Sequence, residues 1–155
     1  MPDTGKNDCS CARCASACER KPGWFHPDQI APLAKSLGLS ITQLFARHLS
    51  VDWWAGDSMT DGKDVFVLSP RLDGEPGGGL FPANPHGACH WYREGKCQIH
   101  ALGKPDECAF AHHDVSDSDY FRNHLAVVTA WMPHQARIAR LLGRPPVAAA
   151  YDGEA

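Results

Sequence analysis

The sequence lacks the features that mark most functional classes. It has no run of five or six Lys and Arg residues, and its formal charge is −3. That excludes the electrostatic footprint of a nucleic-acid binder and of a polybasic membrane patch. Its longest apolar-rich run, Leu125 to Met132, is far too short to span a bilayer. The first residues, Met1-Pro2-Asp3-Thr4-Gly5-Lys6-Asn7-Asp8, contain no apolar stretch of the kind a secretory signal needs. The expectation is a cytoplasmic protein with no nucleic-acid and no membrane partner, in a compartment that keeps thiols reduced. There is no Ser/His/Asp order, no Gly-x-Ser-x-Gly elbow and no His-Glu-x2-His. Gly77-Gly78-Gly79 lacks a following Gly-Lys-Ser/Thr, so it reads as flexibility rather than a phosphate cradle. No catalytic residue is singled out, an enzyme is the lesser expectation, and no protein partner is indicated.

What the chain does have is sulfur. Seven Cys occur in 155 residues, in two groups. Cys9, Cys11, Cys14 and Cys18 lie within ten positions, and Cys89, Cys97 and Cys108 begin about 70 residues later. Packing gives no reason to cluster thiols, whereas soft-metal coordination does. In a reducing compartment metal ligation is favoured over disulfides, and an odd count leaves one thiol over in any full disulfide scheme. Cys11-x2-Cys14 is short enough for both sulfurs to reach one ion through a tight turn. The wider spacing of Cys89, Cys97 and Cys108 requires the fold to gather them, most naturally onto the first group. Thiolates hold zinc tetrahedrally at about 2.3 Å, and they bind iron–sulfur clusters equally well.

The elements follow from periodicity and punctuation. Residues 1–8 read as a flexible lead-in, 9–144 as one cysteine-cluster domain and 145–155 as a disordered tail. Ile30, Leu33, Ala34 and Leu37 share a helix face, and Gly38 ends that helix. Ser40-Ile41-Thr42-Gln43 is a capping box, with Leu39 and Leu44 as its hydrophobic staple. Val51 to Trp54 closes this helical unit, and Asp64 to Ser69 is the best strand, ended by Pro70. Residues 71–88 form a long Gly- and Pro-rich loop, and Glu94-Gly95 is the tip of a tight turn. A helix spans about Asp117 to Met132, with Phe121, His124, Leu125 and Val128 on one face. Ile138, Leu141 and Leu142 then continue the apolar pattern to Gly143. The fold class expected is mainly α with irregular Cys-rich loops and a little β, in a small metal-stabilised single domain.

Several motifs resemble one family in matching order. Pro22-Gly23-Trp24-Phe25, Leu37-Gly38-Leu39-Ser40, Cys89-His90-Trp91-Tyr92, Cys97-Gln98-Ile99-His100 and Lys104-Pro105-Asp106-Glu107-Cys108 are similar to steps of the YkgJ-like cysteine-cluster family of zinc- or iron-chelating domains. The resemblance runs from about residue 9 to 110. The first cluster departs from the family pattern, reading Cys-x-Cys-x2-Cys-x3-Cys, and the chain has seven Cys where the family usually has eight. The resemblance implies that all seven Cys are metal ligands, with a His in the eighth place.

His100, three residues after Cys97, is the eighth donor expected, and His112, four after Cys108, is the second choice. His26, His48, His86, His124 and His134 read as structural or solvated. Asp52, Asp57, Asp61 and Asp64 around Trp53-Trp54 read as a solvated turn, since no Ca²⁺-loop spacing occurs. The function expected is a cytosolic protein that holds one or two zinc ions through clustered thiolates in a structural or accessory role. Two alternatives stay open: an iron–sulfur protein in redox or enzymatic service, and a metal-handling protein that stores or transfers zinc, iron or copper.

Overall fold

Residue signals fix the first two helices. Helix α1 spans Ile30–Leu37 and buries Ile30, Leu33 and Ala34. It stops at Gly38, whose φ of 71° is left-handed, so the expected stop is the observed one. Helix α2 spans Ile41–His48. Its start is the expected capping box: Ser40 Oγ accepts the Gln43 N–H at 3.1 Å, and Gln43 Oε1 accepts the Ser40 N–H at 2.9 Å. This computed structural model describes residues 22–82, 87–94, 96–99, 102, 105–110 and 116–147. The lead-in, all four early Cys, His86, Gly95, His100, His112 and the end of the tail lie outside the described residues.

The chain after α2 departs from expectation. Leu49 is extended, with φ −117° and ψ 160°, and strand β1, Leu49–Trp54, replaces the expected close of a helical unit. It pairs antiparallel with β2, Val65–Pro70, from Leu49↔Pro70 to Trp54↔Val65. Every residue of β2 is buried, which explains its continuous apolar run in place of alternation. One face needs helices, and the last two supply them. Helix α4, Asp117–Trp131, and helix α5, Gln135–Leu142, both pack on β2. A 3₁₀ turn at Met132–His134 joins them, where Pro133 breaks the α pattern.

Part of the expected 71–88 loop is not slack. Gly78 N–H donates to Leu49 O at 2.8 Å, Val51 N–H to Gly79 O at 2.8 Å and Phe81 N–H to Val51 O at 2.8 Å, so residues 78–81 lie along β1 like a third strand. A Cβ on Gly77 would fall 2.6 Å from Ala46 O. Gly77 therefore serves close approach to the end of α2, not flexibility. Later, β3, Tyr92–Arg93, and β4, Lys96–Cys97, form a short antiparallel hairpin. Its turn starts at Glu94, with φ 53°. Helix α3, Asp106–Phe110, follows.

One hydrophobic cluster runs from Trp24 to Ile138. Its centre includes Phe25, Leu33, Leu68, Trp131 and Ile138, each fully buried. About 48% of the described residues are helical, beside a small two-stranded sheet. No helix among the described residues is long and apolar enough to cross a membrane.

Candidate metal centre

The segment leading away from the early Cys group is pinned on both sides. Phe25 N–H donates to Leu68 O on β2 at 3.0 Å, and Trp131 Nε1–H of α4 donates to Phe25 O at 2.7 Å. Trp24 Nε1–H donates to Asp52 Oδ2 at 2.8 Å. Asp52, read from sequence as solvated, is only 2% exposed and also accepts the Trp53 N–H at 2.8 Å. The indole is a buried donor that needs an acceptor, which draws this carboxylate inward. Asp57 and Asp64 do behave as turn residues: Asp57 Oδ1 accepts the Met59 N–H at 2.9 Å, and Asp64 Oδ1 accepts the Gly56 N–H at 2.9 Å.

This pinning presents Gly23 to Cys108. Gly23 N–H donates to Cys108 Sγ at 3.2 Å, across 85 residues of sequence. A thiol or thiolate sulfur is a weak acceptor, and a backbone N–H aimed at it favours the anionic form. Next along α3, Glu107 Oε1 accepts the Trp24 N–H at 2.9 Å. Cys108 is 3% exposed and Glu107 4%. The chain five residues beyond Cys18 is thereby brought against the last Cys of the second group.

Cys89 and Cys97 are gathered by the hairpin. Tyr92 and Cys97 are register partners, and Leu72 bridges to Cys89. Both thiols are buried and in no disulfide, like Cys108. Burial pushes the Cys89 thiol up to about 12, opposed by the backbone N–H groups of Trp91 and Tyr92 at its sulfur, while Cys97 lies near enough to raise it further. At neutral pH such a thiol keeps its proton unless a cation replaces it.

The His residues are less bland than their isolated positions imply. His48 Nδ1 and His90 Nε2 are 2.7 Å apart, with the rings stacked at 4.9 Å. Trp91 stacks on His48 at 5.2 Å. Burial, then Arg71, push His90 down to about 4, and the same two causes lower His48. His90 Nδ1 is buried with no hydrogen-bond partner, alone in this among the side chains described. A buried orphan nitrogen beside a Cys is a donor that lacks an acceptor or a metal. His124 Nδ1 is bonded to Glu107 Oε2. Neither contact was visible in sequence spacing, since the partners lie 42 and 17 residues apart. His26 is a cap, its Nδ1 accepting the Asp28 N–H at 3.1 Å.

Among the described residues no three His, Cys, Asp or Glu side chains converge to hold a metal. The structure thus brings Cys89 to Cys97 and sets Cys108 against Gly23. The expected convergence of Cys9, Cys11, Cys14, Cys18 and His100 on them lies outside the described residues. No family model, no curated protein and no solved structure matches the chain.

Proposed function

We propose that the chain is a thiolate metal-binding protein of the YkgJ-like kind, holding one or two zinc ions at closed sites in a structural or accessory role. The observation that carries this reading is the Gly23 N–H on Cys108 Sγ. It sets Gly23, five residues after Cys18 in sequence, against a buried sulfur of the second group. Three buried thiols in no disulfide, backbone N–H groups directed at Cys89 and Cys108, and the orphan nitrogen of His90 suit a soft cation. With no trio among the described residues, a tetrahedral site completes its set from Cys9, Cys11, Cys14 and Cys18. His100 remains the eighth donor proposed from spacing, and His90 is a rival that the orphan nitrogen favours. A site closed by four protein donors keeps no open position for substrate, and its binding energy becomes folding energy of about 10 kcal/mol or more.

The test is metal analysis with a visible spectrum on anaerobically purified full-length protein. Colourless protein with stoichiometric zinc and a melting temperature that drops strongly with chelator is the expected result. Brown protein with acid-labile sulfide would replace this reading with the iron–sulfur one. A melting curve unchanged after verified metal removal would end the structural role. His90→Ala or His100→Ala should lower zinc affinity, whereas His134→Ala should not; equal binding by all three would mean that no imidazole from this set is a ligand.

A further inference from the structure

A cleft of about 310 Å³ opens between the Pro22–Trp24 segment, Glu107 and the first turns of α4 at Tyr120, Phe121 and His124. That volume lies at the small end of ligand sites and fits a molecule with a single ring. Its walls are mainly aromatic. The rings of Trp24 and His124 lie 4.4 Å apart, tilted by 31°, with Trp54 at 5.4 Å and Phe121 at 6.3 Å from the same imidazole. Phe121 is 53% exposed, although its spacing placed it on the buried face of α4. An exposed large aromatic ring at the mouth of a cleft is a contact surface in waiting.

The polar equipment is one His–carboxylate pair. Glu107 is buried, and both oxygens are engaged: Oε1 accepts the Trp24 N–H, and Oε2 faces His124 Nδ1. An ionised carboxylate can only accept, so the ring nitrogen facing it is the donor, and Nε2 is the nitrogen left for a ligand. The His124 side chain is 23% exposed and lines the cleft. No described residue bonds its Nε2. Asp106 adjoins Glu107 on α3, Asp117 and Asp119 precede Tyr120 on α4, and Arg122 is tied to Asp119 at 2.8 Å. An anion is therefore disfavoured. Glu107, the carboxylate that lines the cleft, is already bonded twice. What the cleft offers is a largely aromatic slot with one imidazole held in place.

We propose that this cleft binds a small neutral aromatic molecule bearing a hydroxyl donor, of which a phenol is the simplest, with its ring among Trp24, Tyr120 and Phe121 and its O–H given to His124 Nε2. Glu107 is the positioning residue that holds the ring through Nδ1. The site is independent of the thiolate reading, since none of its walls is a Cys. Gly23 links the two: it lines the cleft and donates its N–H to Cys108.

The test is titration of the full chain with p-cresol, 4-methylanisole and benzylammonium, followed by Trp fluorescence and by NMR shifts of the Trp24 indole and the His124 ring. The cresol should bind saturably, and about tenfold more tightly than 4-methylanisole, the worth of one hydrogen bond in an apolar site. Phe121→Ala, at an exposed position that leaves the core intact, should weaken it about fivefold or more, on the scale of an aromatic contact. Equal affinity for the cresol and its methyl ether would overturn the proposal, as would tighter binding of benzylammonium. So would shifts confined to other regions, or no saturable binding up to about 10 mM, the range expected of a fragment.

Discussion

Gly23→Ala isolates the crossing on which the metal reading rests. A Cβ at that position would sit 2.7 Å from Glu107 Cβ, 3.0 Å from Cys108 N and 3.1 Å from Cys108 Sγ. The neighbours cannot easily give way. Cys108 N is backbone in α3, and Glu107 is held through both carboxylate oxygens. Relief must come from moving the 22–24 segment outward. That stretches the Gly23 N–H contact to Cys108 Sγ at 3.2 Å and the Trp24 N–H bond to Glu107 at 2.9 Å. Overpacking of this kind costs about 1–3 kcal/mol. The reduced freedom of Ala in the unfolded chain returns about 0.4–1 kcal/mol. At mid-range the net loss is about 1.3 kcal/mol, or about 3–5 °C in melting temperature for a domain of this size. Gly79→Ala is the control, because its Cβ would meet nothing within 4 Å. It should leave the melting temperature unchanged or slightly raised. The assay is thermal denaturation of both variants with zinc present at equal occupancy. A Gly23→Ala protein that melts with the wild type would show that the two segments do not cross at contact distance, and the link between the Cys groups would fall with it.

Gln135 clamps an edge of β2, accepting the Phe66 N–H at 2.8 Å and donating to Phe66 O at 3.0 Å and Trp131 O at 2.8 Å. Gln135→Ala should cost about 2–3 kcal/mol at roughly 1 kcal/mol per bond, read by urea denaturation, and a loss under about 0.5 kcal/mol would contradict the clamp. Zinc affinity should rise with pH between 6 and 8, by about tenfold per unit for each proton displaced. The sign follows from Cys89: burial raises its thiol to about 12, so it is protonated at neutral pH until a metal displaces the proton. Without metal, the same shift should leave the fold insensitive to this group at neutral pH and destabilise it between about 9 and 12, where only the unfolded thiol ionises. Isothermal titration in buffers of different ionisation heat counts the protons, and a pH-independent affinity would contradict a buried thiol ligand.

Where signals were local, the fold was legible. The Ser40–Gln43 box and the Gly38 stop depend on residues within four positions of one another, and both appear as read. So do the α4 and α5 helices and the hairpin turn at Glu94. Strand β1 was not legible as a strand, because Asp52 interrupts its apolar pattern. The indole of Trp24, 28 residues away, gives the buried carboxylate a partner that the local sequence does not show. The Gly77–Gly79 run was misread for a similar reason. Glycine signals both flexibility and close approach, and the choice is made by Ala46, a partner some 30 residues distant.

The candidate sites divide along the same line. Thiols announce themselves by type, because clustered Cys have few other uses, so Cys89, Cys97 and Cys108 could be named without a structure. Glu107 and His124 are ordinary residue types at an unremarkable spacing. Their pairing is made by α3 packing against α4, and by the Trp24 N–H that holds the carboxylate in place. Yet Glu107 and Cys108 are neighbours on α3, and Gly23 and Trp24 are neighbours on the segment that crosses it. Each residue of one pair bonds its counterpart in the other: Gly23 to Cys108 and Trp24 to Glu107. A metal that ordered the early thiols against Cys108 would therefore also fix the wall of the aromatic cleft. Loss of that metal would loosen the Trp24 N–H bond, and with it the hold of Glu107 on the His124 ring. The two sites share no ligand, but they share a crossing of four residues. The coupling is reciprocal by linkage: a phenol that tightens the cleft should raise zinc affinity, by the factor with which zinc raises the affinity for the phenol, as competition with a chelator at equilibrium would read.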